Sequence, residues 1–167
     1  MSEPRWLDAD EQEAWRAFLS ATRALVEELD RQLLRDSGMP LAYYEILVRL
    51  SEVPDWTLRM HELAQLSGSS RSRLSHAATR LEEQGWIERT ACPEDRRGLY
   101  ATLTPKGFAA LRDAAPGHVE AVRSLLLDPL SSEQVQQLRS ISQQILARAR
   151  PEDARAAPSP AEVTGPS

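Results

Sequence analysis

The chain has 167 residues, 41% hydrophobic and 27% charged, a balance that is ordinary for a folded soluble protein and excludes an intrinsically disordered one. The formal net charge of −5 argues against a uniformly basic nucleic-acid-binding protein. However, residues 1–30 hold eight acids and three arginines and account for this charge, so the remainder sums to zero. Between Ser69 and Leu81 there are three arginines and no acid, and local charge decides contact with a polyanion.

Several functional classes are disfavoured by what the sequence lacks. Cys92 is the single cysteine, which excludes an intrachain disulfide and predicts a cytoplasmic protein. The N-terminal segment has no basic and apolar signal pattern, and no apolar run approaches a membrane span, so we expect no membrane partner. His61, His76 and His118 are too scattered for a zinc site, so we expect no metal or cofactor. No catalytic motif is present, which predicts a protein that is not an enzyme.

Apolar residues at three- and four-residue steps predict a long amphipathic helix over about residues 8–36. Asp8 and Glu11 form a capping-box pattern at its start, and Gly38 is suited to its left-handed end. A second helix is predicted over residues 41–51, and Thr57-Leu58-Arg59 is predicted to form a short strand.

The central stretch has the pattern of a helix, a glycine turn, a second helix and a hairpin. A short third helix begins at Met60 and is stopped by Gly68. The fourth helix ends at Gly85, and its apolar positions have helical spacing. The inward set of this fourth helix is Leu74, Ala77, Ala78 and Leu81, and the predicted hairpin strands are Trp86–Thr90 and Leu99–Leu103.

The C-terminal third is predicted to be helical. Thr104-Pro105 is an N-cap followed by proline at the first helical position, and Pro116-Gly117 predicts a kink or a restart. A second capping-box pattern at Ser131 and Gln134 begins a last helix that ends near residue 150. Residues 1–7 are expected to be flexible, and the proline-rich residues 151–167 are expected to form a disordered tail.

The fourth helix carries the candidate DNA contacts. Its exposed side and its first turn combine hydroxyls, arginines and a histidine, and helix N-termini and arginines are suited to phosphates and to guanine edges. An ordinary solvated helix face is the alternative interpretation. The candidate contacts are Ser69, Ser70, Arg71, Ser72, Arg73, Ser75, His76 and Arg80.

The hairpin tip supplies a second candidate contact. Asp95, Arg96 and Arg97 lie where the hairpin is predicted to turn. An arginine on a narrow loop is suited to a minor groove, and Asp95 is suited to brace an arginine through a forked ion pair. An ordinary polar turn is the alternative.

Over about residues 8–150 the chain resembles MarR-family winged helix-turn-helix regulators. The resemblance rests on specific residues of the third and fourth helices, the wing and the segment beyond it: Leu63-Ala64, Ser72 with Leu74, Arg80-Leu81-Glu82, Gly85, Glu88-Arg89, Asp95-Arg96-Arg97, Leu103-Thr104 and Lys106-Gly107. It implies a mainly α-helical fold with a small β-hairpin wing. It places a DNA-binding lobe at about residues 41–104 and dimerisation helices at about residues 8–36 and 105–150.

The resemblance also implies a function. It implies a homodimer whose recognition helices enter the major grooves of double-stranded DNA at a palindromic operator, while Arg97, braced by Asp95, probes the minor groove. The expected role is that of a repressor, or sometimes an activator, released by a small molecule or an oxidant. A winged-helix module that binds protein instead of specific DNA is the alternative, as are terminal helices that complete a monomeric core.

The signal that would release the protein from DNA is the part of the expected function that the sequence constrains least. The resemblance places a ligand pocket between the dimerisation helices and the DNA-binding lobe, and its candidate lining is Trp15, Tyr43, Tyr44 and His118. The effector is unidentified, and an aromatic compound is one candidate. A redox-responsive regulator that uses Cys92 is a further alternative, although related peroxide sensors carry the reactive cysteine in the first helix.

Overall fold

The computed structural model describes residues 3–93 and 95–149, and the predicted tail at 151–167 lies outside them. Residues 3–7 of the predicted flexible N-terminus form neither helix nor strand. The described residues form mainly helices, together with one small three-stranded sheet. In chain order the elements are α1 (Ala9–Ser37), α2 (Leu41–Ser51), a 3₁₀ turn (Pro54–Trp56), β1 (Thr57–Arg59), α3 (Met60–Leu66), α4 (Arg71–Glu83), β2 (Ile87–Cys92), β3 (Asp95–Leu103), α5 (Pro105–Val122), a π-helical turn (Arg123–Leu127) and α6 (Ser132–Ala149).

Helix α1 begins and ends as its capping residues predict. The Asp8 side chain accepts a hydrogen bond from the Glu11 amide, and the Glu11 side chain accepts one from the Asp8 amide, which confirms the capping box. Gly38 ends the helix with φ of 65°, a left-handed conformation that favours glycine.

Helix α2 depends on α1 for the cap at its N-terminus. Pro40 precedes α2 and supplies no side-chain hydrogen bond. The Leu41 amide instead donates to Oδ1 of Asp30, 11 residues earlier on α1, at 2.8 Å. A carboxylate at this position also interacts favourably with the helix dipole. The two helices are therefore held at a fixed point near the sharp turn between them.

Helices α3 and α4 form the predicted helix-turn-helix. Gly68, with φ of 59°, ends α3, and Ser70 caps α4 by accepting a hydrogen bond from the Arg73 amide. The inward residues of α4 pack in one core with residues from α2, α3, β2 and β3. The largest completely buried side chains in this core are Leu33, Met39, Leu47, Leu50, Leu63, Leu74, Leu81 and Ile87.

The antiparallel sheet has the strand order β1-β3-β2, so β3 is central. Thr57 pairs with Thr102, and Ile87 pairs with Leu103. The strands are longer than predicted, because Ala91 pairs with Leu99 and, beyond a register shift, Cys92 lies opposite Asp95. Asp95, Arg96 and Arg97, which were predicted to lie in the turn, belong to β3. Their turn-forming residue types match the register shift, where an irregularity interrupts the regular pairing.

Helix α5 continues through Pro116. It runs from Pro105 to Val122 without a restart at Pro116-Gly117, the irregular turn comes later, and the alternative of a kink at Pro116 stays a prediction. A proline removes one helical hydrogen bond, and the packing of α5 along α1 maintains the helix on both sides of it. The second capping box is confirmed, because Ser131 and Gln134 exchange hydrogen bonds at the start of α6.

The long helices leave apolar side chains uncovered in the single chain. These residues lie on α1, on α5 with its following turn, and on α6, outside the core of the winged lobe. They are Trp15, Phe18, Val26, Leu34, Val119, Leu125, Ile141, Ile145 and Leu146, each at least 43% exposed. None of the described helices combines the length and apolar character needed to cross a bilayer.

Candidate nucleic-acid interface

Burial divides the surface of α4 into an anchored side and a presented side. Leu74, Ala78 and Leu81 are almost completely buried and attach the helix to the core. At about 100° per residue, Ser72 and His76 project in the opposite direction, and both are exposed. The structure therefore presents a polar stripe of α4 to its surroundings, as predicted.

The predicted contacts on α4 do not all remain available. Ser70 uses its hydroxyl oxygen to cap the helix, and Arg80 forms a 2.8 Å ion pair with Glu83. Arg71 and Arg73 are exposed and have no ion-pair partner among the described residues. Ser69, in the turn before α4, is half-buried, whereas Ser75 is exposed. Arg71 and Arg73 are thus the uncompensated cations of this helix.

The tip of the wing is compact around Gly98. A Cβ built on Gly98 would lie 3.1 Å from Oδ2 of Asp95 and 3.2 Å from Cβ of Cys92. The Asp95 carboxylate therefore lies close to the backbone of the wing. The side chains of Arg96 and Arg97 lie outside the described part of the structure, so the brace between Asp95 and an arginine remains a prediction.

A cavity of about 410 Å³ with a mixed polar and apolar lining separates α4 from the wing. Arg71 and Ser75 line it from α4, and Asp95 and Gly98 line it from the wing. Sequence reasoning missed three further lining residues at the junction of β1 and α3. They are Arg59, whose guanidinium lies 5.5 Å from the ring centroid of Tyr100, together with Met60 and His61. The sequence signal that could have found them is the pair of basic residues Arg59 and His61, which lie at the start of α3.

An ion pair connects α4 to the wing. The Arg89 guanidinium on β2 donates to Oε2 of Glu82 from Nη2 at 2.6 Å and from Nε at 3.0 Å. The Arg89 amide donates to the other carboxylate oxygen at 3.2 Å. These hydrogen bonds from Arg89 hold the pKa of Glu82 below its ordinary value of 4.5, against an opposing effect of burial. The pair fixes the direction of β2 relative to α4.

We expect Glu82→Gln to lower the melting temperature at pH 7. Because the folded-state pKa of Glu82 is depressed, its stabilisation is present above pH 4.5 and is lost as the pH falls through the lowered pKa. The difference from the unmodified protein should therefore shrink in acid, as thermal unfolding measured across pH would show. Glu83→Gln is the matched control, because the Glu83 pair lies within one exposed helix. Equal losses for the two variants would contradict the interpretation.

The base of the wing is joined to α5 by close backbone contact. The Thr104 hydroxyl donates to the Gly85 carbonyl at 2.7 Å, and Lys106 Nζ donates to the Gln84 carbonyl at 2.7 Å. A Cβ built on Gly107 would lie 2.1 Å from the Trp86 carbonyl oxygen. This joint gives a structural reason for the Thr104, Lys106 and Gly107 pattern in the sequence.

Comparisons with known proteins agree with this geometry. Residues 37–98 match the model of the MarR family. A MarR-family transcriptional regulator from Streptomyces coelicolor, Sco3205, solved in complex with DNA, is 49% identical. The alignment covers 92% of this chain and 96% of that one, with a TM-score of 0.87. The chain belongs to the MarR family.

Two further MarR-type relatives extend the comparison. AbsC from S. coelicolor is 40% identical over 89% of this chain and 100% of its own, with a TM-score of 0.83. The transcriptional repressor MprA of Escherichia coli is 32% identical over 70% of this chain. That match spans 66% of the repressor, just under two thirds of its length. The predicted winged helix-turn-helix fold and the predicted class, a DNA-binding transcriptional regulator, are confirmed.

In this MarR-family chain, a second cavity of about 470 Å³ lies between α1, α2 and α5. Tyr44 and His118, both predicted ligand contacts, line it with ring centroids 4.4 Å apart. Burial lowers the pKa of His118 and raises that of Tyr44, and in each case it favours the neutral form of the side chain. The buried Nδ1 of His118 and Oγ of Ser67 have no hydrogen-bond partner among the described residues.

The other two predicted ligand contacts lie elsewhere. Trp15 is 52% exposed on α1, and Tyr43 lines a separate cleft beside α4. Successive residues of a helix point about 100° apart, which takes Tyr43 and Tyr44 to different surfaces of α2. Within the described residues, no group of three or more His, Cys, Asp or Glu side chains is placed to hold a metal ion.

Proposed function

We propose that this regulator is a cytoplasmic, non-enzymatic repressor that binds a palindromic operator as a homodimer and is released by a small molecule. The observation that carries the proposal is the exposed surface of α4, where Arg71 on the flank facing the wing and Arg73 on the other flank have no ion-pair partner among the described residues. A basic helix next to an arginine-bearing hairpin is suited to adjacent major and minor grooves. Two copies would match two half-sites about one helical turn apart.

The uncovered apolar faces of α1, α5 and α6 support the homodimer. Trp15 and Ile141, for example, are 52% and 53% exposed in the single chain. Exposed apolar helix faces mark protein interfaces, and a second copy of the chain supplies matching faces. In the alternative, in which these helices complete a monomeric core, no element among the described residues covers those side chains.

The cavity beside Tyr44 and His118 supports release by a ligand. Its lining combines apolar residues of α1 and α2 with the charged Glu45 and Arg49 and with Ser67 and His118, whose Oγ and Nδ1 are buried without a hydrogen-bond partner among the described residues. Concave sites that combine apolar walls with a few polar groups are typical of small-molecule sites. Ser67 immediately follows α3, so a bound molecule would contact the turn that leads into α4.

The redox alternative gains no support from the position of Cys92. This thiol is 3% exposed at the end of β2, beside Gly98 and Asp95. Oxidant-sensing thiols are accessible and lie in electropositive surroundings. We therefore assign Cys92 to the packing of the wing.

Binding-site selection with the purified full-length protein and random double-stranded DNA tests the proposed function. We expect one palindromic sequence to be enriched and to form a complex with two copies of the protein. Failure to enrich any sequence above the starting library would refute specific DNA recognition. A monomeric complex on a single half-site would refute the homodimer.

We expect Arg97→Ala to weaken operator binding roughly tenfold or more while leaving the dimer intact. The substitution removes the cation that we assign to the minor groove. Titration of labelled operator at fixed salt measures the loss, and sizing chromatography checks the dimer. Arg112→Ala is the matched control, because it removes one exposed arginine from α5, where Arg112 pairs with Asp113. Equal operator affinity of the two variants would contradict the role of the wing.

A further inference from the structure

An open cleft of about 530 Å³ lies on the flank of α4 opposite the wing. Helix α2 contributes Tyr43 to this cleft. Helix α4 contributes Arg73, His76, Arg80 and Glu83, together with Ala77 and Thr79. Helix α4 is therefore bordered by a cavity on each flank, one against the wing and one against α2, and each is lined by charged side chains among apolar ones.

The charges in this cleft do not cancel. Arg80 is paired at 2.8 Å with Glu83, the one acid among the described residues that line the cleft. Arg73 has no ion-pair partner among the described residues and is exposed. The cleft thus combines a net positive charge from Arg73 with the phenol of Tyr43. These groups are hydrogen-bond donors that suit an anionic oxygen.

The position of Tyr43 distinguishes a backbone contact from a base contact. Tyr43 belongs to α2 and lies beside α4, whereas Ser72 and His76 occupy the presented stripe of α4 itself. A recognition helix in a major groove has a phosphate backbone along each of its flanks, and such contacts fix the register of the protein. The wing lies along one flank, and the Tyr43 cleft lies along the other.

We propose that this cleft binds one phosphate of the operator backbone, with the Tyr43 hydroxyl donating to a phosphate oxygen and Arg73 supplying the positive charge. The proposal rests on the proposed DNA binding and adds a positioning contact from α2. The Arg80–Glu83 pair forms the wall of the cleft. Tyr43, which the sequence assigned to a ligand pocket, is thereby reassigned to the DNA surface.

Tyr43→Phe tests the proposal, and Ser51→Ala is the control on the same helix. Ser51 lies at the far end of α2, where its hydroxyl donates to the Val48 carbonyl at 2.8 Å and does not line the cleft. We expect Tyr43→Phe to bind the selected operator about tenfold more weakly, with an unchanged salt slope because no charge is removed. Ser51→Ala also removes one hydroxyl from α2 and should retain the affinity of the unmodified protein. Circular dichroism and thermal unfolding verify that both variants fold.

Phosphate-ethylation interference locates the contact. In the unmodified protein, ethylation of one flanking phosphate should impair binding, and Tyr43→Phe should be insensitive at that phosphate alone. Arg73→Ala should lose sensitivity at the same phosphate and reduce the salt slope by about 0.9. Unchanged affinity and an unchanged interference pattern for Tyr43→Phe would overturn the proposed phosphate contact in the cleft but would not contradict the proposed function. Absence of specific binding by the unmodified protein would overturn both.

Discussion

Replacing Gly107 with alanine should lower the free energy of unfolding by about 3 kcal/mol or more. The added Cβ would lie 2.1 Å from the Trp86 carbonyl oxygen and 2.8 Å from Cδ1 of Leu103. The carbonyl has little freedom to move, because it also accepts a hydrogen bond from the Thr104 amide at 3.0 Å. Denaturant unfolding of the full-length protein measures the loss, which is large relative to a typical total stability of about 5–15 kcal/mol.

Gly117→Ala provides the control on the same helix. A Cβ there would meet the end of a flexible side chain, Nε2 of Gln32, at 3.2 Å instead of backbone. Alanine also has a higher helix propensity than glycine by about 1 kcal/mol, which offsets part of the crowding. We therefore expect a change within about 1 kcal/mol. A Gly107→Ala variant as stable as Gly117→Ala would show that the joint between the wing and α5 is not tightly packed.

The second large effect is expected from Ile141→Asp on α6. Ile141 is 53% exposed in the single chain and belongs to the apolar face that we assign to the homodimer. A carboxylate buried in that interface without a partner would be strongly unfavourable. We expect a monomer by sedimentation equilibrium and a loss of operator affinity of roughly 100-fold or more, because the second half-site no longer adds its binding energy.

Gln143→Asp is the matched control for this substitution. Gln143 is exposed on the same helix, about 200° around the axis from Ile141. The variant introduces the same carboxylate outside the apolar face, so both dimer and operator affinity should be retained. A dimeric Ile141→Asp protein would place the interface elsewhere, whereas dissociation of both variants would indicate a general effect of negative charge on α6.

Local signals in the sequence were sufficient to predict most element boundaries. The capping boxes at Asp8 and Ser131 formed as predicted, because each involves residues only three positions apart. Gly38, Gly68 and Gly85 all have positive φ values at helix ends, where glycine is favoured. The inward side of α4 followed from its helical periodicity.

These local signals did not predict features that depend on contacts between residues distant in the sequence. The wing strands are longer than predicted because their ends are set by the partner strand. Within α4, Arg73 and Arg80 looked equivalent in sequence, yet Glu83 pairs with Arg80 and leaves Arg73 without an acid. Tyr43 and Tyr44 were assigned to one pocket, although the 100° step of the predicted helix points them to different surfaces of α2. The elements that those surfaces meet, α4 beside Tyr43 and His118 of α5 beside Tyr44, appear only in the packed structure.

The hydrogen bond from the Leu41 amide to Asp30 has a consequence for how this regulator can be divided or recombined. The predicted DNA-binding lobe begins at about residue 41, but the group that caps its first helix belongs to α1. A lobe excised there would start with an uncapped helix, at a cost of about 1 kcal/mol. A chimaera that joins this lobe to the long helices of a relative should therefore keep an aspartate at the position of Asp30 on α1. The exchange point is then chosen so that this capping contact is kept, and not at the boundary between α1 and α2.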